Sequence, residues 1–176
     1  ETEPFSALVF KTTSDPYTGK ITIFRVYSGV LNSDSTIYNS TKGVEERIGQ
    51  IYELEGKKQK AIKQAVAGDI VAVAKLKETI TGDTLCDANK PIIYEPAPLL
   101  KPCISYAIEP KTKADEDKIH GALHKMIEEE PMLESHRDSQ TKEFIISGMG
   151  QVHLDVIVEK LKRKFNVEVL LKTPKV

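Results

Sequence analysis

Several groupings in this 176-residue sequence have residue types and spacings that chemistry could use. Glu116, His120 and His124 stand at i, i+4 and i+8, so a helix would bring two imidazoles and a carboxylate towards one face, as a Zn²⁺ site requires. That stripe drifts around the helix and nothing near it supplies a fourth ligand, so a solvated polar face is the better reading and no metal is expected. His153 and Asp155 are two apart, which turns them in different directions on a helix. No Ser-His-Asp, Cys-His or paired-carboxylate arrangement can be read, and no catalytic residue is assigned. Gly19-Lys20 invites a phosphate-loop reading, but the pattern needs Gly at 14 and Ser or Thr at 21, where Ser14 and Ile21 stand. The remaining grouping is Ser147-Gly148-Met149-Gly150-Gln151-Val152-His153. Its two glycines permit a tight reversal and let a backbone or an anion come close to a helix start.

The elements that must position this turn are visible on both sides of it. Phe144, Ile145 and Ile146 form a short apolar strand-like run, and the period then changes. Leu154, Ile157, Val158, Leu161 and Phe165 fall on one stripe of an amphipathic helix. Lys160, Lys162, Arg163 and Lys164 crowd its last turns, where positive charge complements the carbonyl end. Upstream, Cys103–Ile108 reads as a strand, and Thr112-Lys-Ala-Asp115 is a capping box opening a helix with Ile119, Ala122, Leu123, Met126 and Ile127 on its stripe. Pro131 ends that helix. Met132–His136 and Lys142–Ile146 suit a hairpin across Asp138-Ser139-Gln140, and Val167–Leu171 is a last strand. The order βαββαβ is the split, ferredoxin-like α+β plan.

Residues 1–98 read differently. Phe5–Lys11, Lys20–Tyr27, Ser35–Asn39, Gly49–Leu54 and Ile70–Leu76 are β-rich runs separated by Asp, Asn, Gly and Pro turn signals. Short strands without a helical stripe predict an antiparallel barrel or sandwich, and closure into a barrel would remove exposed edges. Ile21 and Ile23 point one way and Phe24 and Val26 the other, so that strand is expected to be covered on both faces. Prolines 91, 96, 98 and 102 punctuate the passage to residues 99–176, the second expected domain.

Composition narrows the function classes. A hydrophobic fraction of 40% fits an ordered chain, and a net charge of −1 argues against free-standing, non-specific nucleic-acid binding. Cys86 and Cys103 lack metal or redox spacing and are read as small buried hydrophobes of a reducing, cytoplasmic compartment. No apolar run approaches membrane-spanning length, and no membrane partner is expected. Asn39-Ser40-Thr41 matches a glycosylation acceptor, but no secretory segment precedes residue 5. The chain begins without Met and ends on Lys172-Thr-Pro-Lys-Val176, which reads as a piece of a longer protein.

Specific stretches resemble one family. Ser147-Gly-Met-Gly-Gln-Val-His-Leu-Asp155 resembles the Gly-Met-Gly-Glu-Leu-His-Leu signature in the third domain of elongation factor G, with Gln151 where the family usually carries Glu. Glu109-Pro-Lys-Thr-Lys-Ala-Asp115 and Lys162-Arg-Lys-Phe-Asn-Val167 resemble the same domain. Pro4-Phe-Ser-Ala-Leu-Val-Phe-Lys11, Asp15-Pro-Tyr17, Phe24-Arg-Val-Tyr-Ser-Gly29 and Thr81-Gly-Asp-Thr-Leu-Cys86 resemble its second domain, an antiparallel β-barrel.

The resemblance implies a fragment of a translational GTPase that drives tRNA and mRNA through the ribosome. The barrel would dock on small-subunit rRNA and ribosomal protein. The ferredoxin-like domain would link the GTP-binding domain to the distal domains of the same parent, bordering the family's fusidic acid cleft. GTP and Mg²⁺ would belong to a domain outside this stretch, so no cofactor and no catalysis are expected here. Gly148, Met149, Gly150, Gln151 and His153 become interface or hinge candidates. Lys20, Lys42, Arg47, Lys57, Lys58 and Lys60, read as loop residues, become RNA-contact candidates. Two alternatives stay open: a ribosome-protection or release-type relative, and a free-standing RNA-binding module.

Overall fold

The computed structural model describes residues 2–15, 19–56 and 58–175, so Lys57 and the Asp15-Pro-Tyr17 turn after Asp15 lie outside the described residues. The chain divides into two compact units, Glu1–Ala97 and Pro98–Val176.

The first unit is the antiparallel β-barrel. Its strands are β1 (Ser6–Asp15), β2 (Gly19–Ser28), β3 (Val30–Asn32), β4 (Thr36–Asn39), β5 (Val44–Arg47), β6 (Ile51–Glu55), β7 (Lys58–Ile62), β8 (Gln64–Val66), β9 (Ile70–Ala74) and β10 (Thr84–Cys86). Eight form one sheet in the order β5-β4-β10-β1-β2-β9-β6-β7, and β3 pairs with β8. Residues 33–35 draw the sheet ends together. Ser33 N–H donates to Lys63 O, Asp34 N–H to Gly49 O, and Ile48 N–H to Ser35 O. The alternation of β2 places Phe24 and Val26 in the core beside Val9, Ile51, Val71 and Leu85.

The outer face of β2 is covered over only half its length. Ile21 is buried and Ile23 half-buried, but Arg25 and Tyr27 are exposed, which corrects the expectation of two covered faces. A bulge in the β1–β2 register leaves Phe10 without an opposite residue and 47% exposed. Gly29, at φ +68°, cannot carry a side chain, since a Cβ there would lie 2.6 Å from Glu3 O and Phe5 N.

The second unit has the ferredoxin-like βαββαβ order: β11 (Ile104–Pro110), α1 (Lys113–Glu129), β12 (Glu134–Arg137), β13 (Phe144–Gly148), α2 (Gln151–Phe165) and β14 (Val169–Lys172). Its sheet order is β12-β13-β11-β14. Thr112 caps α1 through its hydroxyl, which accepts from Asp115 N–H and donates to Asp115 Oδ2 at 2.7 Å. Asp115 Oδ1 also accepts from Glu168 N–H, fastening the start of α1 to the run into β14. The apolar stripes meet over one sheet face, with Ile119, Leu123 and Met126 of α1 against Leu154, Ile157 and Leu161 of α2 and Ile108 and Ile146 of the sheet.

Candidate functional site

The turn between β13 and α2 is held from three directions. Gly148 is needed because of what packs on it: a Cβ would lie 2.8 Å from both His153 Nδ1 and Leu154 Cδ2. Met149 N–H donates to His153 Nδ1 at 3.1 Å, which leaves the proton of the neutral ring on Nε2. Cys103 closes the other side. Its N–H donates to Gly148 O at 2.9 Å and its thiol to Met149 O at 3.0 Å. Cys86 is buried as expected, but Cys103 is exposed, because it precedes the paired part of β11 and lies over the turn.

Gly150 is a different case. Its φ of 164° is extended backbone open to any residue, and a Cβ there would meet nothing within 4 Å. It occupies the N-cap of α2 without a side-chain cap. The next turn of helix presents Val152 (76% exposed) and Val156 to solvent. Gln151, also exposed, donates from Nε2 to Asp155 Oδ1 at 2.9 Å. A Glu at 151 would face that carboxylate as a like charge at i, i+4 while gaining from the helix N-terminus, two small effects of opposite sign.

The basic candidates fall into distinct settings. Lys20 lies in β2, at the start of the Lys20–Tyr27 run. Arg47, Lys58 and Lys60 are strand residues, not loop residues as the turn signals implied, with Arg47 in β5 opposite Thr36 and Lys58 and Lys60 in β7. The reason is the hairpin turned at Gly56 (φ +60°), which pairs Lys58 with Glu55 and Lys60 with Glu53. Lys60 Nζ lies 3.1 Å from Glu53 Oε2. Lys42 does lie in a turn, and its ammonium is turned inward, donating to Glu78 O and standing 3.8 Å from Asp83 Oδ2.

Lys42 belongs to a polar clamp that the sequence did not reveal. Glu46 of β5 reaches the loop after β9. Its Oε1 accepts from Lys77 N–H and from Glu78 N–H (3.0 Å), and its Oε2 from the Thr79 amide (3.0 Å) and hydroxyl. Asn39 Nδ2 donates to Thr79 Oγ1 at 3.1 Å and to Asp83 Oδ2 at 2.8 Å. Burial pushes the Glu46 carboxyl up, but the Thr79 hydroxyl and the Glu78, Lys77 and Thr79 amides outweigh it and hold the carboxyl below the ordinary glutamate range. Asn39 is fully buried, so the glycosylation match is inaccessible in the folded chain.

The helix groupings also resolve. His120 packs edge-on to Phe144 at 4.5 Å, while His124 lies 3.6 Å from Glu128. Among the described residues no three His, Cys, Asp or Glu side chains are grouped to hold a metal. The lysines at the end of α2 are paired with carboxylates: Lys160 with Glu130, Lys164 with Glu129 at 2.7 Å, and Lys162 with Glu168 at 3.4 Å. No helix among the described residues is long and apolar enough to cross a membrane.

Comparison with known proteins agrees with this two-unit organisation. Residues 4–88 match the family model described as elongation factor G domain 2, and residues 99–173 the one described as Elongation Factor G, domain III. A crystal structure of a protein from Thermus thermophilus superposes with a TM-score of 0.89 at 31% sequence identity. The match covers 99% of this chain and 26% of that one, so the chain spans about a quarter of the length of that relative. The chain belongs to the elongation factor G family, of which it carries domains II and III.

Proposed function

We propose that this chain is the docking and coupling portion of an elongation-factor-G-type GTPase that moves tRNA and mRNA through the ribosome in the cytoplasm. The observation that carries the reading is the pair of family matches in the order domain 2, then domain III, over nearly the whole chain. In this reading the barrel docks on small-subunit rRNA and ribosomal protein. The exposed strand cations Arg47, Lys58 and Lys60 are its contact candidates, with Lys20 at the start of β2, whereas Lys42 serves the internal clamp. Gly148, Met149, Gly150, Gln151 and His153 form an interface or hinge between the GTP-binding and distal domains of the parent. The exposed Val152 and the open side of Gly150 support that role.

Such a portion needs no cofactor and performs no chemistry itself, since GTP and Mg²⁺ are handled by another domain of the parent. Two measurements test this. Salt-titrated pelleting with ribosomes should show weak, salt-sensitive binding of the isolated chain. Purified chain should neither bind nor hydrolyse GTP, and turnover that survives removal of contaminating GTPases would refute the reading. A ribosome-protection or release-type parent shares these expectations and is separated from a translocase by a translocation assay on the full-length protein.

A further inference from the structure

We propose that a cleft at the end of the second unit's sheet binds the phosphate backbone of an RNA strand through Arg137 and Lys142; this rests on the ribosomal reading above. The cleft, of about 290 Å³, has the β11 end at Ala107–Pro110 and Phe144 as its floor. Four cations (Arg137, Lys142, Lys172 and Lys175) meet three carboxylates (Glu109, Glu116 and Glu143) around it. Lys172 is paired with Glu109, and Lys175 lies 3.6 Å from Glu143. No carboxylate among the described residues pairs with Arg137 or Lys142.

The Arg137 guanidinium and the backbone of Lys142 are nevertheless fixed in place. Arg137 Nε donates to Lys142 O at 3.2 Å, and the guanidinium lies 5.3 Å from the centre of the Phe144 ring. Lys142 N–H in turn donates to Asp138 O at 3.1 Å, while Asp138 Oδ1 gathers the Gln140 and Thr141 amides at 2.9 and 2.7 Å. The terminal nitrogens of an oriented guanidinium match two phosphate oxygens in a fork, with an ammonium close by in sequence and on the same cleft. Elsewhere in this unit the lysines of α2 are spent on internal ion pairs, so they offer phosphates less. Phe144 has Arg137 over its ring and His120 edge-on, so base stacking is not what the cleft offers. Recognition by phosphate contacts alone makes the binding indifferent to sequence.

Anisotropy titration of the whole chain against a short single-stranded RNA of mixed sequence, repeated over a range of salt, tests the cleft. Combined Arg137→Gln and Lys142→Gln should weaken binding about tenfold and reduce the slope of log affinity against log salt by about 1.4, since each phosphate neutralised on a single strand contributes roughly 0.7. Glu116→Gln removes a cleft carboxylate that no lysine among the described residues pairs with, and should tighten binding about two- to threefold. Unchanged affinity and slope in the double variant overturn the proposal, as does an unchanged or weaker Glu116→Gln, or equal binding of poly-glutamate. Were the double variant to misfold by circular dichroism, Lys142→Gln and Glu116→Gln alone still decide the matter through their opposite signs. Ribosome pelleting of the intact chain reports separately on the ribosomal reading, whose failure would show there with the cleft's RNA affinity still measurable.

Discussion

The loop at residues 75–83 in the barrel and the turn at residues 148–150 in the second unit both leave a strand, yet different means hold them. In the barrel, carboxylate oxygens gather the loop's amides: Glu46 of β5 takes three successive backbone N–H groups, and Asp83, within the loop itself, takes Ile80 N–H at 2.9 Å. In the second unit the turn is closed by shape, with the His153 ring and Leu154 filling the space where Gly148 has no side chain. The first arrangement depends on charge and is open to acid. The second depends mainly on volume, with the Met149 N–H bond to His153 Nδ1 beside it.

The widest separation between the two comes from the Glu46 clamp. Glu46→Ala leaves the Lys77, Glu78 and Thr79 amides and the buried Thr79 hydroxyl without their acceptor, and should cost the barrel about 2–4 kcal/mol. Urea unfolding followed by barrel-specific amide signals measures it. The pH dependence has a definite sign. A carboxyl held below its ordinary range adds stability that is present above the unfolded-state pKa and is lost as pH falls through the folded one. Barrel stability should therefore fall on acidification below the ordinary glutamate range, and Glu46→Gln should flatten that fall. An unchanged acid profile in Glu46→Gln would remove the clamp's electrostatic character.

This contrast explains how much could be read from the sequence. The shape-closed turn announced itself, because Gly148, Gly150 and the Leu154–Phe165 stripe are neighbours and their spacing encodes a strand, a reversal and a helix. Thr112 and Asp115 likewise marked the start of α1. Glu46 and Thr79 are 33 positions apart in stretches that look merely polar, so no local pattern could pair them. The short strands failed for related reasons. β7 is exposed along nearly all its length and shows no apolar alternation, while β3, β8 and β10 have three residues each, too few for a period of two to register. That is why Lys58 and Lys60 read as loop residues. The sequence shows the charge of Arg137 and Lys142 but not that neighbouring carboxylates, among the described residues, leave them out of ion pairs.

Gly148→Ala probes the other side of the contrast and should have a smaller effect. The added methyl would press on the His153 ring and on the Leu154 side chain, both of which can shift, so about 1–3 kcal/mol is expected in the second unit. Equilibrium unfolding followed by signals of the second unit measures it. A cost as large as that of Glu46→Ala would mean that the turn is as rigidly determined as the clamp.

Gly150→Ala is the smallest change and the sharpest test of what the second glycine is for. At φ 164° an alanine is unstrained and its methyl would point into open space, so the cost is limited to the N-cap preference for glycine over alanine, up to about 1 kcal/mol. Alanine also has less unfolded-state freedom to lose, which pushes the balance slightly towards stabilisation. The fold therefore gives only the mild N-cap preference as a reason for glycine at 150, although it gives a clear steric one at 148. If the open side of Gly150 is where another part of the parent protein approaches the backbone, Gly150→Ala in the full-length factor should impair translocation while costing the isolated chain no more stability than that. Equal translocation by Gly150→Ala and the parent would leave the turn as a purely internal device.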